Sequence, residues 1–160
     1  LIQAFNKLKS NAKFNNLHLI IAGDNGWNYN RIYKTADQSP FKDQIKFLGY
    51  ISKKEKPYLY NLANIFVFPS YYEGFGLPIL EAQACGTPVI TGLNSSLPEI
   101  TNNSALLIKP DNITELSQAI KKLILGKKLR QDLIDSGLEN VKRFSWQKTA
   151  EKTLEYIVHL

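Results

Sequence analysis

The stretch from Phe68 to Gly86 constrains this chain more than any other: Phe-Pro-Ser-Tyr-Tyr-Glu-Gly-Phe-Gly-Leu-Pro-Ile-Leu-Glu-Ala-Gln-Ala-Cys-Gly. It opens at the end of a short continuous apolar run, Ile65 to Phe68, which reads as a buried strand. Pro69 breaks the run, and a glycine-rich loop follows. Pro78 stands where a first helical position belongs, because its missing N–H would be unpaired there in any case. The helix continues through Ile79, Leu80, Glu81, Ala82 and Ala84, and Gly86 closes it. Strand, glycine loop and helix N-terminus together form a common phosphate-holding geometry.

Two carboxylates frame the turn, Glu73 in the loop and Glu81 in the helix. On one unbroken helix they would lie about 12 Å apart along the axis and on different faces. A chain folded back at Gly74 to Gly76 instead lets both face one pocket. Gly74 and Gly76 permit close backbone approach and positive φ. The N–H groups of Gly76, Leu77 and Ile79 are then expected to point at an anion. A carboxylate repels that anion, so the glutamates are expected to accept hydrogen bonds from hydroxyls. A ribose diol and a sugar ring flanking a diphosphate satisfy all of these groups at once.

The run Glu-Gly-Phe-Gly-Leu-Pro-Ile-Leu-Glu-Ala-Gln-Ala-Cys-Gly-Thr-Pro-Val-Ile resembles the signature of the retaining, GT-B-fold glycosyltransferases of family 4. Phe47-Leu48-Gly49-Tyr50-Ile51 resembles that family's earlier strand and base-binding turn. Leu97-Pro98-Glu99-Ile100 and Phe144-Ser145-Trp146 resemble its later segments, so the likeness covers nearly the whole chain. It implies a nucleotide-sugar donor, with Glu81 on the ribose hydroxyls and Glu73 beside the donor sugar as the catalytic carboxylate. It also implies that Gly74, Phe75, Gly76 and Leu77 hold sugar and distal phosphate through backbone amides, and that Ile51 lies against the base. No metal and no cofactor are implied.

The resemblance further implies that these residues are the C-terminal, donor-binding half of a longer enzyme. An N-terminal domain would carry the glycan or lipid-linked acceptor. The Arg and Lys that neutralise the diphosphate in such enzymes usually precede the helix in which this chain begins. The 160 residues alone are therefore expected to fold as one domain, to bind donor weakly and not to turn over. Each predicted helix is expected to have sheet to pack on.

The rest of the chain alternates strands with helices. Leu1 to Lys9 has helical apolar spacing, and Leu17 to Ala22 reads as a strand buried on both faces. Gly23-Asp24-Asn25-Gly26 is a loop at that strand's end, followed by Trp27 and Tyr29, which read as an exposed lid or as simple packing, and by a helix over Tyr29 to Thr35. Ile45 to Leu48 is the next strand. Ser52 and Glu55 stand in capping-box positions before a helix. Lys53 and Lys56 read as solvated helix charges or as groups approaching base or phosphate. Strands at Pro88 to Thr91 and Ala105 to Ile108 flank a polar loop, Gly92 to Ser96. Three helices follow. This order predicts the α/β class, a Rossmann-like doubly wound parallel sheet.

Formal net charge is +6, yet no nucleic-acid-binding motif accompanies it. Lys121, Lys122, Lys127, Lys128 and Arg130 read as a solvated helical face, or as a contact for anionic lipid headgroups. The expected location is cytoplasmic, with peripheral contact at the inner face of a membrane as the alternative. One cysteine, Cys85, excludes an intramolecular disulfide. His18 and His159 have no partners at ligand spacing, and no cluster resembles a metal site. Two rivals share the architecture: a nucleotide-sugar 2-epimerase and a non-catalytic sugar-nucleotide binding module.

Overall fold

The computed structural model describes residues 1–26 and 29–158, so the readings placed on Trp27 and His159 lie outside the described residues. Helix α1 (Ile2–Lys9) leads into β1 (Leu19–Ala22), α2 (Tyr29–Asp37) and β2 (Ile45–Gly49). Then come α3 (Lys56–Leu62), β3 (Phe66–Phe68), α4 (Leu77–Ala84), β4 (Val89–Gly92), α5 (Leu97–Thr101) and β5 (Leu106–Ile108). Helices α6 (Ile113–Leu125), α7 (Lys127–Val141) and α8 (Trp146–Val158) complete the described chain.

Every strand pairing is parallel, as the strand–helix alternation predicts. The strands form two ladders, β1–β2 and β3–β4–β5, where a single sheet was expected. Helix packing joins the ladders. Ala4 and Leu8 of α1 share a core with Ile90, Ile108, Leu116 and Leu123, against which Leu17, Ile65 and Val67 pack. The other face of α1, with Ile2 and Phe5, covers Leu19, Ile21, Ile45 and Phe47. Strand β4 is buried at every residue and sits between its two partners.

Two expectations fail for one reason, the lack of a covering layer among the described residues. Strand β1 alternates instead of being buried on both faces: Ile20 is 49% and its β2 neighbour Leu48 44% exposed. His18 precedes the strand and is exposed. Helix α8 has no buried residue, and Trp146, Leu154, Tyr156 and Ile157 face outward. No described helix is long and apolar enough to cross a membrane. Lys121, Lys122, Lys127 and Lys128 are exposed, and none has an acidic partner among the described residues.

Helix α4 needs more than apolar packing to hold its orientation. Its Gln83 is fully buried and donates from Nε2 to the Ser104 hydroxyl (2.7 Å) and carbonyl (3.1 Å). Its Oε1 accepts from Asn140 Nδ2 of α7 at 2.9 Å, and Asn140 also donates to the Ile100 carbonyl. Gly137 lets α7 come this close, since a Cβ there would lie 3.1 Å from Gln83 Cγ. Thr87 N–H reaches the Ala82 carbonyl and Gly86 N–H the Gln83 carbonyl, with Gly86 at φ 69°, so the helix closes as its sequence predicts.

Gln83→Leu strips these partners while keeping an apolar side chain of similar length. Unfolding free energy is expected to fall by about 2–3 kcal/mol, the cost of unsatisfied buried polar groups. Urea denaturation measures it, and a loss under about 0.5 kcal/mol would show that the network does not hold α4.

Candidate functional site

The turn between β3 and α4 is built around Gly76. Its φ of 104° is left-handed, and a Cβ there would lie 3.1 Å from Leu97 Cδ2 and 3.3 Å from Ile79 Cδ1. Both facts require glycine. Gly74 differs from the expectation. It has no positive φ, and no atom lies within 4 Å of a Cβ built there, so it marks open space beside the loop. The amides of Phe75, Gly76 and Leu77 have no acceptor among the described residues. The expectation for Ile79 is corrected: its N–H already donates to the Gly76 carbonyl at 2.9 Å. Three amides therefore remain at the helix start, where the dipole favours negative charge.

Glu73 is half-buried, and hydroxyls hold it. Ser70 Oγ donates to Glu73 Oε1 at 2.9 Å. The Glu73 N–H donates to Ser95 Oγ at 3.0 Å, and the same hydroxyl donates back to the Glu73 carbonyl at 2.7 Å. Ser96 Oγ lies 2.9 Å from that carbonyl and 3.2 Å from the Phe75 carbonyl. The loop after β4 thus clamps the loop after β3. The two approach closely because Gly92 has no side chain; a Cβ there would meet the Ser70 carbonyl at 2.7 Å. The Phe75 ring meets Phe144 edge to face at 5.8 Å, and the Arg143 guanidinium lies over Phe144.

Glu81 is contacted from α3. The Tyr60 hydroxyl donates to its Oε2 at 3.0 Å, and Lys56 Nζ lies 3.3–3.4 Å from its two carboxylate oxygens. Tyr60 is fixed in turn. Its ring meets Phe66 edge to face at 5.2 Å, and its carbonyl accepts from Thr87 Oγ1 at 2.7 Å. Burial, and then the bond to Glu81, push the Tyr60 phenol well above the ordinary tyrosine range, so it stays a donor at any working pH. Burial pushes the Cys85 thiol up, with the Glu81 charge adding to it.

Lys53 is exposed, and Lys56 pairs with Glu81. Ser52 and Glu55 make the reciprocal bonds of a capping box, but a turn over 53–55 intervenes and the helix starts only at Lys56. Ile51 is half-buried in the turn after β2, and its backbone groups have no hydrogen-bond partner among the described residues.

Sequence reasoning missed Tyr60, Ser70, Ser95 and Ser96. Tyr60 was detectable as the residue one helical turn after Lys56. Ser70 stands three residues before Glu73, a local side-chain bonding pattern. Ser95 and Ser96 are 22 and 23 positions from Glu73, and no local pattern announces such pairings. Among the described residues no group of three His, Cys, Asp or Glu side chains is placed to hold a metal ion.

Parallel strands, crossover helices and a glycine turn presenting free amides define a Rossmann-like α/β domain of the GT-B kind. The chain belongs to the glycosyl transferases group 1, whose family model matches residues 1–140. It is 34% identical over 154 residues to O-antigen chain mannosyltransferase B of Escherichia coli, covering 96% of this chain and 40% of that protein. A glycosyltransferase structure from Rickettsia africae superposes with a TM-score of 0.84 at 26% identity, over 98% of this chain and 42% of that one. HepE of Anabaena, solved with UDP-glucose, shares the fold with a TM-score of 0.85 at 19% identity, over 99% of this chain and 44% of its own. The chain thus spans about two fifths of the length of these proteins.

Ser95→Ala removes both the acceptor of the Glu73 amide and a donor to its carbonyl. Hydrogen exchange at the Glu73 amide is expected to quicken by about tenfold or more, while the β4 amides keep their protection. Unchanged exchange at Glu73 would show that the hydroxyl clamp does not hold this loop.

Proposed function

We propose that this chain is the donor-binding half of a retaining glycosyltransferase of family 4, moving a sugar from a nucleoside-diphosphate sugar to an acceptor hydroxyl. The observation that carries the reading is one turn offering two chemistries. The amides of Phe75, Gly76 and Leu77 are free for an anion, and Glu81 is held on the same helix by neighbouring donors. A diphosphate suits the amides and a ribose diol suits the carboxylate. The 34% identical mannosyltransferase supports transfer over epimerisation or mere binding.

On this reading the reaction breaks the bond between the anomeric carbon and the diphosphate oxygen. An acceptor hydroxyl forms the new bond on the same face and passes its proton to the departing diphosphate oxygen. The difficult charge is the one gathering on the leaving diphosphate. Fixed N–H dipoles need no reorganisation to stabilise it, and no metal is assigned. Glu73 lies beside the donor sugar, where its carboxylate orients hydroxyls and favours positive charge developing at the anomeric carbon. Ile51 borders the base through its unpartnered backbone groups. The acceptor, a glycan or lipid-linked sugar, belongs to a second domain. The 160 residues alone are accordingly assigned donor binding without turnover.

Glu81→Ala in the complete enzyme is expected to weaken nucleoside diphosphate binding by about 1.5–3 kcal/mol, the scale of hydrogen bonds to a charged group. The 2′,3′-dideoxy analogue should lose far less. Titrating both ligands decides it, and equal losses remove the ribose assignment. Glu73→Gln should lower kcat by about tenfold or more while leaving affinity for the free nucleoside diphosphate near wild type. A variant with wild-type kcat removes Glu73 from the chemistry.

A further inference from the structure

Glu81 has three rotatable side-chain bonds and is partly open to solvent, so nothing in its own chemistry fixes the plane of its carboxylate. Two groups on α3 reach it, and they differ in kind. Tyr60 is a stiff side chain with its ring against Phe66 and its carbonyl tied to Thr87, and its hydroxyl is 3.0 Å from Oε2. Lys56 is a long flexible chain with 39% of its side chain exposed, and its ammonium stands 3.3–3.4 Å from the carboxylate oxygens. Those distances exceed the 2.7–2.9 Å of a strong charge-assisted bond, and a half-exposed pair of this kind is weakly held.

We propose that Tyr60 is a positioning residue for Glu81: its hydroxyl fixes the carboxylate orientation, and Lys56 is a placeholder that a vicinal diol displaces. The inference rests on the donor-binding reading of Glu81. An ionised carboxylate offers about four lone-pair directions on its two oxygens. Tyr60 takes one of them on Oε2. A diol binds through two adjacent hydroxyls and needs one direction on each oxygen, all in a single plane. The tyrosine bond sets that plane and leaves those directions available. The lysine spans both oxygens and must leave them for the diol to bind. The phenol keeps its proton throughout, because burial and the neighbouring carboxylate hold it in the neutral form.

The test measures affinities of the complete enzyme for UDP, GDP and ADP, each against its 2′,3′-dideoxy counterpart. The proteins are wild type, Tyr60→Phe, Glu81→Gln, the double variant and Lys56→Met. Tyr60→Phe is expected to weaken the preferred ribonucleotide about tenfold and to leave the dideoxy form unchanged. In the Glu81→Gln background Tyr60→Phe should have no further effect, which a merely structural tyrosine would not show. Lys56→Met, a change at a partly exposed position, should keep or widen the preference for the ribonucleotide. Equal losses for both ligands in Tyr60→Phe, or no loss while Glu81→Gln still loses the preference, would overturn the proposal. So would a preference abolished by Lys56→Met, since the lysine would then be the orienting group; this arm decides even where Tyr60→Phe does not fold. If Glu81→Gln itself keeps the full ribose preference, the donor-binding role of Glu81 falls, and the role of Tyr60 falls with it.

Discussion

The buried amide of Gln83 fixes how α4 is rotated, and the candidate site depends on that rotation. Helix α4 is apolar on most of its surface, with Ile79 and Ala82 fully buried. Apolar burial is non-directional and tolerates small rotations. Hydrogen bonds from Gln83 to Ser104 and Asn140 do not, because each has a preferred angle and nothing else in the core replaces it. Glu81 lies two residues earlier, about 200° around the helix. Once Gln83 faces inward, Glu81 must face α3, where Tyr60 meets it. The same rotation sets the amides of Phe75, Gly76 and Leu77 at the front of the helix.

The two carboxylates are held by different means, with one common feature. Glu73 takes a hydroxyl from Ser70, and Glu81 takes a hydroxyl from Tyr60 and a loose ammonium from Lys56. Hydroxyls orient a carboxylate without neutralising it. Negative charge therefore stays available on Glu73 to accept further hydroxyls, on Glu81 the half-exposed Lys56 offsets it only loosely, and the neighbouring amides remain the place for an anion. On the proposed reading, this division would let one turn hold a ligand with an anionic centre and polyhydroxyl ends without placing carboxylate against phosphate.

What was legible in the sequence was local. Apolar runs marked the strands, capping residues marked the helix ends, and the Phe68–Gly86 stretch marked the turn, all within a few residues of where the structure has them. The contacts that build the site join residues 21 to 27 positions apart: Tyr60 to Glu81, Glu73 to Ser95, Thr87 to Tyr60. Such pairs depend on loop closure and helix rotation, which period and propensity do not encode. Lys56 shows this well. On its own helix it looks like a solvated charge, and only the placement of α4 gives it a partner. The apparent equivalence of Gly74 and Gly76 dissolves for the same reason, since only Gly76 meets Leu97. The separation into two ladders and the uncovered α8 could not be read from helix–strand alternation, which says nothing about which strands neighbour each other or what covers each face.

The supports of the two glutamates also differ in how easily they can be undone. The bonds that clamp Glu73 to Ser95 are solvent-exposed, and water replaces exposed hydrogen bonds at little cost. Glu81 sits on a helix anchored by buried bonds, and its tyrosine partner is half-buried against Phe66. Opening that side would strand polar groups inside the core, which is far more expensive. On the proposed reading the ribose end of the donor therefore meets a surface that is already set. The sugar end meets a loop that can shift to fit. Fixed binding energy at a remote part of a ligand is what an enzyme uses to hold the reacting centre in place. On that reading, a Glu81 oriented by Tyr60 and an adjustable Glu73 would place the two properties where a group-transfer reaction needs them.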